Sequence, residues 1–156
     1  MKLFKNALIY DGTGIEAFKG DILIENDRIV QVKDGIQAEE GWEVIDLEGL
    51  SVSPGFIDAH SHNDWFAIKN NPQKYFEPFI RQGITSFVTG NCGLSAIGFE
   101  SESQHVDKIG GGLFSYADTT GKYPTVSEFF SAIDRNTPCN IAVLAGHCTA
   151  RASVAG

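Results

Sequence analysis

The chain has 156 residues, with 12 Lys and Arg against 20 Asp and Glu, giving a net charge of −8. That balance argues against a nucleic-acid backbone or an anionic membrane surface as the main partner. With 42% apolar and 21% charged residues the composition is globular, and no apolar run nears the roughly 18 residues of a spanning helix.

The first residues, Met1-Lys2-Leu3-Phe4-Lys5-Asn6, contain no long apolar stretch of the signal-peptide kind. Three cysteines, an odd number, give no disulfide framework and suit a reducing compartment, so a cytoplasmic location is expected.

Residues 1–53 read as strands and turns. Leu3 to Tyr10 is apolar and is followed by the turn cluster Asp11-Gly12-Thr13-Gly14. Asp21 to Glu25 and Arg28 to Val32 flank Asn26-Asp27, whose residues tolerate the positive φ of a two-residue turn, so a β-hairpin is predicted. Glu43 to Leu47 and Leu50 to Ser53 are two further short strands. This segment carries 5 basic and 11 acidic residues, most of the net charge.

At Pro54 the pattern changes. Gly55 to His60 reads as a short parallel strand. Asn71 is placed as the cap of a helix with Pro72 at its first position, Phe76, Phe79 and Ile80 on its buried face, Pro78 inside it and Gly83 as its stop. Ile84 to Gly90 is a second strand. Residues 94–124 read as a long loop that includes Gly110-Gly111-Gly112. Thr125-Val126-Ser127-Glu128 is a capping box opening a helix to about Asn136, with Phe129, Phe130 and Ile133 apolar. Asn140 to Gly146 is a third strand. Alternating strands and helices with nearly continuous apolar strands predict an α/β fold with a parallel sheet.

The chemistry gathers at the C-terminal ends of these strands, where α/β folds place ligands. In His60-Ser61-His62, side chains of period two send both imidazoles to one face, half of a zinc-type site. The same spacing also occurs in pairs of structural histidines, and the strand-end position favours the metal role. Asp58 and Asp64 share that parity if strand geometry continues. Cys92, in Asn91-Cys92-Gly93, ends the neighbouring strand about 4.8 Å away and can reach the same ion. Its soft thiolate favours zinc over magnesium or calcium. The alternative is a small buried hydrophobe. His147, with Arg151 four residues on, brings a third imidazole to the rim. It would orient substrate, donate to an oxyanion or support the metal ligands, or else bond backbone at a strand end. Cys148 beside His147 makes a poor nucleophile–base pair, because adjacent strand residues face opposite ways. His105 reads as a solvated loop residue.

Taken together, Pro54-Gly55-Phe56-Ile57-Asp58-Ala59-His60-Ser61-His62 and the β-rich segment before it resemble the amidohydrolase superfamily. Gln82-Gly83-Ile84-Thr85-Ser86-Phe87-Val88-Thr89-Gly90-Asn91-Cys92-Gly93, and Asn140 to His147 with Arg151, resemble the N-acyl-D-amino-acid deacylases (D-aminoacylases) more closely. The resemblance implies the N-terminal part of a (β/α)8 TIM barrel, about three βα units over 54–156, preceded by part of a small β-sandwich domain over 1–53. It implies one or two zinc ions, with His60 and His62 at one metal position. Cys92 would be a ligand where many relatives use a carboxylated lysine or a glutamate. Asp64, His147 and Arg151 are candidates for touching substrate or supporting those ligands. The substrate implied is a small N-acyl amino acid, cleaved to a carboxylate and a D-amino acid.

The same resemblance implies further metal ligands and a proton-transferring aspartate beyond residue 156, so no catalytic residue is assigned within the chain. A whole barrel takes about 250 residues, roughly 31 per unit, and the 103 residues from 54 onward hold about three units. The expectation is therefore an N-terminal portion, inactive alone, that requires the rest of its own chain. Two rivals stand beside it. One is a cyclic-amide amidohydrolase of the dihydropyrimidinase or hydantoinase kind; the other is a non-catalytic metal-binding fragment with His147 as a fourth ligand.

Overall fold

A computed structural model describes residues 1–100, 103, 105 and 123–155. The chain forms two compact units, Met1–Pro54 and Gly55–Gly156. The predicted loop glycines 110–112 lie outside the described residues.

The first unit is a five-stranded sheet of β1 (Lys2–Ile9), β2 (Phe18–Glu25), β3 (Arg28–Lys33), β4 (Glu43–Asp46) and β5 (Ser51–Val52). The order is β3-β2-β1-β4, with β5 pairing β1 beyond β4. β2 and β3 are antiparallel and joined at Asn26-Asp27, where Asn26 takes φ 54°. Both faces of the sheet are buried near β1 and β2. Leu3 pairs with Leu23 and packs with Ile36, while Phe4 pairs with Ile22 on the opposite face. A bulge between Phe4 and Ala7 then shifts parity, so Ala7 and Ile9 join the Ile22 cluster rather than the Leu3 cluster. Asn6 sits in that bulge at φ 57°, and its N–H donates to Asp21 Oδ1 at 2.9 Å. Asp21 Oδ2 accepts from Ile36 N at 2.9 Å, so this buried carboxylate is satisfied by two backbone donors.

The second unit is a three-stranded parallel sheet of β6 (Phe56–Asp58), β7 (Ile84–Thr89) and β8 (Asn140–Val143), in that order. Helices α1 (Asp64–Ala67) and α2 (Gln73–Ile80) follow β6, α3 (Val126–Ile133) precedes β8, and α4 (His147–Ala155) follows it. The core is built on Phe76, Phe87, Phe129, Ile133, Ala96 and Ile97. Phe87 meets Phe76 and Phe79 edge-on, with ring centroids 5.4 and 5.3 Å apart. Burying each of the fully enclosed phenylalanines contributes about 1.5–3 kcal/mol relative to exposure. A Cβ on Gly55 would lie 2.1 Å from Thr85 Oγ1, so the β6–β7 approach depends on glycine there.

Several local expectations change. Asn71 does not cap α2: it takes φ 56°, and Pro72 precedes the helix with no side-chain cap. Pro78 is indeed inside α2, and Gln82 Nε2 donates to its carbonyl at 2.9 Å. Ile80 and Phe130 are exposed, so the buried faces of α2 and α3 are narrower than predicted. The Thr125–Glu128 capping box is present, and its helix ends at Ile133. Residues 95–97 and Phe99 are not loose loop but buried, and Ile97 bridges Tyr123. His105 is half-buried.

Candidate metal centre

The site lies just beyond the C-terminal ends of β6 and β7. β6 stops at Asp58, two residues earlier than the sequence suggests, because Asp58 Oδ1 turns back to accept from His60 N at 3.1 Å. One ladder-like bond survives the strand: Ser61 N donates to Val88 O at 3.0 Å. Ser61 is thereby turned inward and buried, while His60 on one side of it is exposed and His62 on the other is half-buried. The alternation needed to bring the imidazoles together thus outlasts the strand itself. Their rings lie 5.9 Å apart between centroids at an angle of 68°.

Cys92 reaches this pair from the 3-10 turn Asn91–Gly93 after β7. The turn is tightly specified. Gly90 takes φ 78°, and a Cβ there would lie 2.1 Å from Leu144 O. Cys92 itself takes φ 57°, an uncommon backbone state for a residue with a side chain. Gly93 takes φ 77°, and a Cβ there would lie 2.8 Å from Cys148 Sγ. The outcome is that Cys92 Sγ lies 3.5 Å from His60 Nε2. One donor atom each from His60, His62 and Cys92 falls within 4.8 Å of the others.

These donors suit a tetrahedral zinc ion. Bonds of about 2.0 Å to nitrogen and 2.3 Å to sulfur, at tetrahedral angles, place N and S about 3.5 Å apart. Two imidazoles and a thiolate are also the donor types zinc prefers. Burial, and secondarily the neighbouring charge of His60, hold His62 below the ordinary imidazole pKa, which favours the neutral ligating form.

The other sequence-predicted residues stand apart from this group. Asp64 does not continue a strand; it opens α1 and is fully buried, and its Oδ2 accepts from Ala96 N at 2.7 Å. Burial pushes its carboxyl up to about 6. His147 is the first residue of α4 and, like Arg151, is exposed. Asp58 serves the His60 backbone.

Sequence reasoning missed the polar clasp behind the Cys92 turn. Ser95 N donates to Thr149 Oγ1 at 2.9 Å, and Thr149 Oγ1 donates to Ser95 O at 3.1 Å. Gly146 N donates to Ser95 Oγ at 2.9 Å. Both Ser95 and Thr149 are fully buried. The only sequence signal for this was a pair of small hydroxylated residues in segments with no obvious pattern.

The amidohydrolase family profile matches residues 43–156, most of the chain. The chain belongs to the amidohydrolase family. Among its relatives, N-acyl-D-aspartate deacylase of Alcaligenes xylosoxydans xylosoxydans is 35% identical over 155 residues, covering 97% of this chain and 29% of that protein. A crystal structure of D-aminoacylase matches with a TM-score of 0.76 at 30% identity, covering 99% of this chain and 31% of that one. N-acyl-D-glutamate deacylase from Bordetella bronchiseptica, solved with zinc and a phosphonate inhibitor that mimics the tetrahedral intermediate, matches with a TM-score of 0.74 at 28% identity. It is covered over 30% of its length, and 97% of this chain aligns. The chain therefore spans less than a third of the length of these amidohydrolases. The matches bear out the α/β fold class and the D-aminoacylase branch expected from the sequence motifs. Among the described residues, no helix is long and apolar enough to cross a membrane.

Proposed function

We propose that this chain supplies the first metal position of a zinc-dependent hydrolase that cleaves the amide of N-acyl-D-amino acids. The observation that carries the reading is the meeting of His60, His62 and Cys92 at two adjacent strand ends, in a chain aligned along nearly its whole length with N-acyl-D-aspartate deacylase. On this reading residues 1–53 are part of a small β-sandwich domain and 54–156 are the first three units of a (β/α)8 barrel. Parallel strands with His60 and Cys92 at their C-terminal ends support that placement.

Zinc held there, as one ion or two, would supply Lewis acidity toward an acyl carbonyl and toward water. The chain's own residues have a narrower task. Two neutral imidazoles and one thiolate hold the cation while reducing its charge by one. Overall, water adds across the amide: a C–O bond forms, the C–N bond breaks, and the displaced nitrogen takes the proton. No side chain of residues 1–156 is assigned that proton transfer. Exposed Arg151 and His147 are candidates for the substrate carboxylate or acyl oxygen, and buried Asp64 supports the segment beyond Cys92 through Ala96 N. The three free cysteines suit a reducing, cytoplasmic setting.

The test is substrate profiling of the intact protein. N-acetyl-D-aspartate, N-acetyl-D-glutamate and neutral N-acetyl-D-amino acids should release free D-amino acid, with their L-enantiomers inert. Turnover of hydantoins or dihydropyrimidines in place of these amides would move the protein to the cyclic-amide branch. Full zinc retention by Cys92→Ala would remove Cys92 from the ligand set.

A further inference from the structure

We infer that Asn91 is a positioning residue whose side-chain amide sets the distance between the histidine-bearing segment and the cysteine-bearing turn. This rests on reading His60, His62 and Cys92 as metal ligands.

The three donors come from two separate pieces of backbone. His60 and His62 lie on the strand exit after β6, and Cys92 on the turn after β7. A shared ion requires those pieces to hold a fixed separation before it binds, since ligand sites work best when their supports are already in place. The Asn91 side chain ties them to backbone on both sides. Asn91 Nδ2 donates to Val88 O at 2.9 Å and to Ser61 O at 3.3 Å. Ser61 is the residue between the two histidines, and Asn91 immediately precedes the cysteine. Both acceptors are carbonyl oxygens, so only the NH2 end of the amide fits there and its orientation is fixed by its partners.

The amide also completes a small closed circuit. Val88 O accepts from both Ser61 N and Asn91 Nδ2, while Ser61 O accepts from Asn91. Beyond Thr89 the two exits have left the regular ladder, and these bonds replace it. Asn91 O in turn accepts from Leu94 N at 3.0 Å, closing the turn that carries Cys92 at its strained φ. Asn therefore does two things at one position: its backbone closes the Cys92 turn, and its side chain ties that turn to the His60–His62 segment. Leu, of similar shape, would keep the first and lose the second.

The experiment compares Asn91→Leu, Asn91→Ala, Cys92→Ser and Ser153→Ala in the intact protein. Zinc affinity is measured by competition with a chromophoric chelator. The thiolate-to-metal absorption band is recorded after loading with cobalt. Thermal unfolding is followed without metal. Asn91→Leu should weaken zinc binding about 10–100-fold, the usual effect of losing a group that orients a ligand. It should also shift or weaken the cobalt–thiolate band. Asn91→Ala gives a second route if the leucine does not fold. Ser153→Ala is the structural comparator: it removes the buried acceptor of Glu100 N and should lower the melting temperature while leaving zinc affinity and the band unchanged. Wild-type zinc affinity and an unchanged band in both Asn91 variants would overturn the inference while the ligand reading stood. Wild-type affinity and an intact band in Cys92→Ser would overturn the ligand reading, and this inference with it.

Discussion

The chain leaving β6 and the chain leaving β8 both carry a histidine within four residues of a parallel strand, yet only the first brings its imidazole to the other metal-type donors. After β6 the backbone bends at Ala59 and His60, where Asp58 Oδ1 holds His60 N, and Ser61 then keeps one bond to Val88 O. Burial still alternates, with Ser61 inside between exposed His60 and half-buried His62, so the two imidazoles emerge together. After β8 the last ladder-like bond is Leu144 N to Thr89 O, and past residues 144–146 the backbone coils into α4, with Ala150 N bonded to Gly146 O. Helical spacing then takes over. Thr149 and Ser153, four apart, form the buried face; His147 and Arg151, also four apart, share an exposed one. Of these two exits, the histidines come together where the neighbouring strand still holds the chain past the strand end, and not where a helix begins.

That contrast is most severely broken at the junction between the two exits. Gly90→Ala would place a Cβ 2.1 Å from Leu144 O at a backbone φ of 78°. It should cost about 4 kcal/mol or more, the exceptional end of single substitutions. Urea denaturation of the intact protein measures this, and a midpoint equal to wild type would show that Leu144 does not press on the turn.

Next in size, Cys92→Ala removes one of three convergent donors. Zinc affinity should fall at least about 100-fold, or about 2.7 kcal/mol, by chelator competition. A smaller loss would put the centre of the site elsewhere.

Thr149→Val tests the buried side of α4. It deletes the hydroxyl that both accepts from Ser95 N and donates to Ser95 O, leaving a buried donor and acceptor without it. The expected cost is about 1–3 kcal/mol of stability, with zinc stoichiometry kept. No loss on denaturation would mean the clasp is not what anchors α4.

The smallest effects belong to the exposed face of the same helix. His147→Ala and Arg151→Ala should each change stability by less than about 0.5 kcal/mol and leave zinc content intact. Their consequence, if they meet substrate, falls on KM. Loss of zinc in His147→Ala would erase the distinction between the two strand exits.

Much of this is legible in the order of the amino acids. The Asn26-Asp27 turn, the Thr125–Glu128 capping box and the three apolar parallel strands announce themselves because each is a local matter of φ, hydrogen bonding or side-chain period. Asn71 misled because a residue that can cap a helix can also take positive φ, and here it does. The segment after Gly93 misled in the other direction. Ser95, Ala96 and Ile97 show no regular period, yet they are buried, since their donors are met by Thr149 and Asp64 from distant stretches of chain.

By itself, then, the sequence determined the fold class, the family and the three residue types capable of holding a soft divalent ion. Strand period and residue chemistry are properties of short stretches, readable in order along the chain. Only the tertiary structure decided which candidates meet. Asp64 turned to a backbone amide, His147 was carried off by a helix, and Asn91 was found spanning the two strand exits. Those outcomes depend on bonds between residues about 30 to 54 positions apart, whose partners no local pattern names.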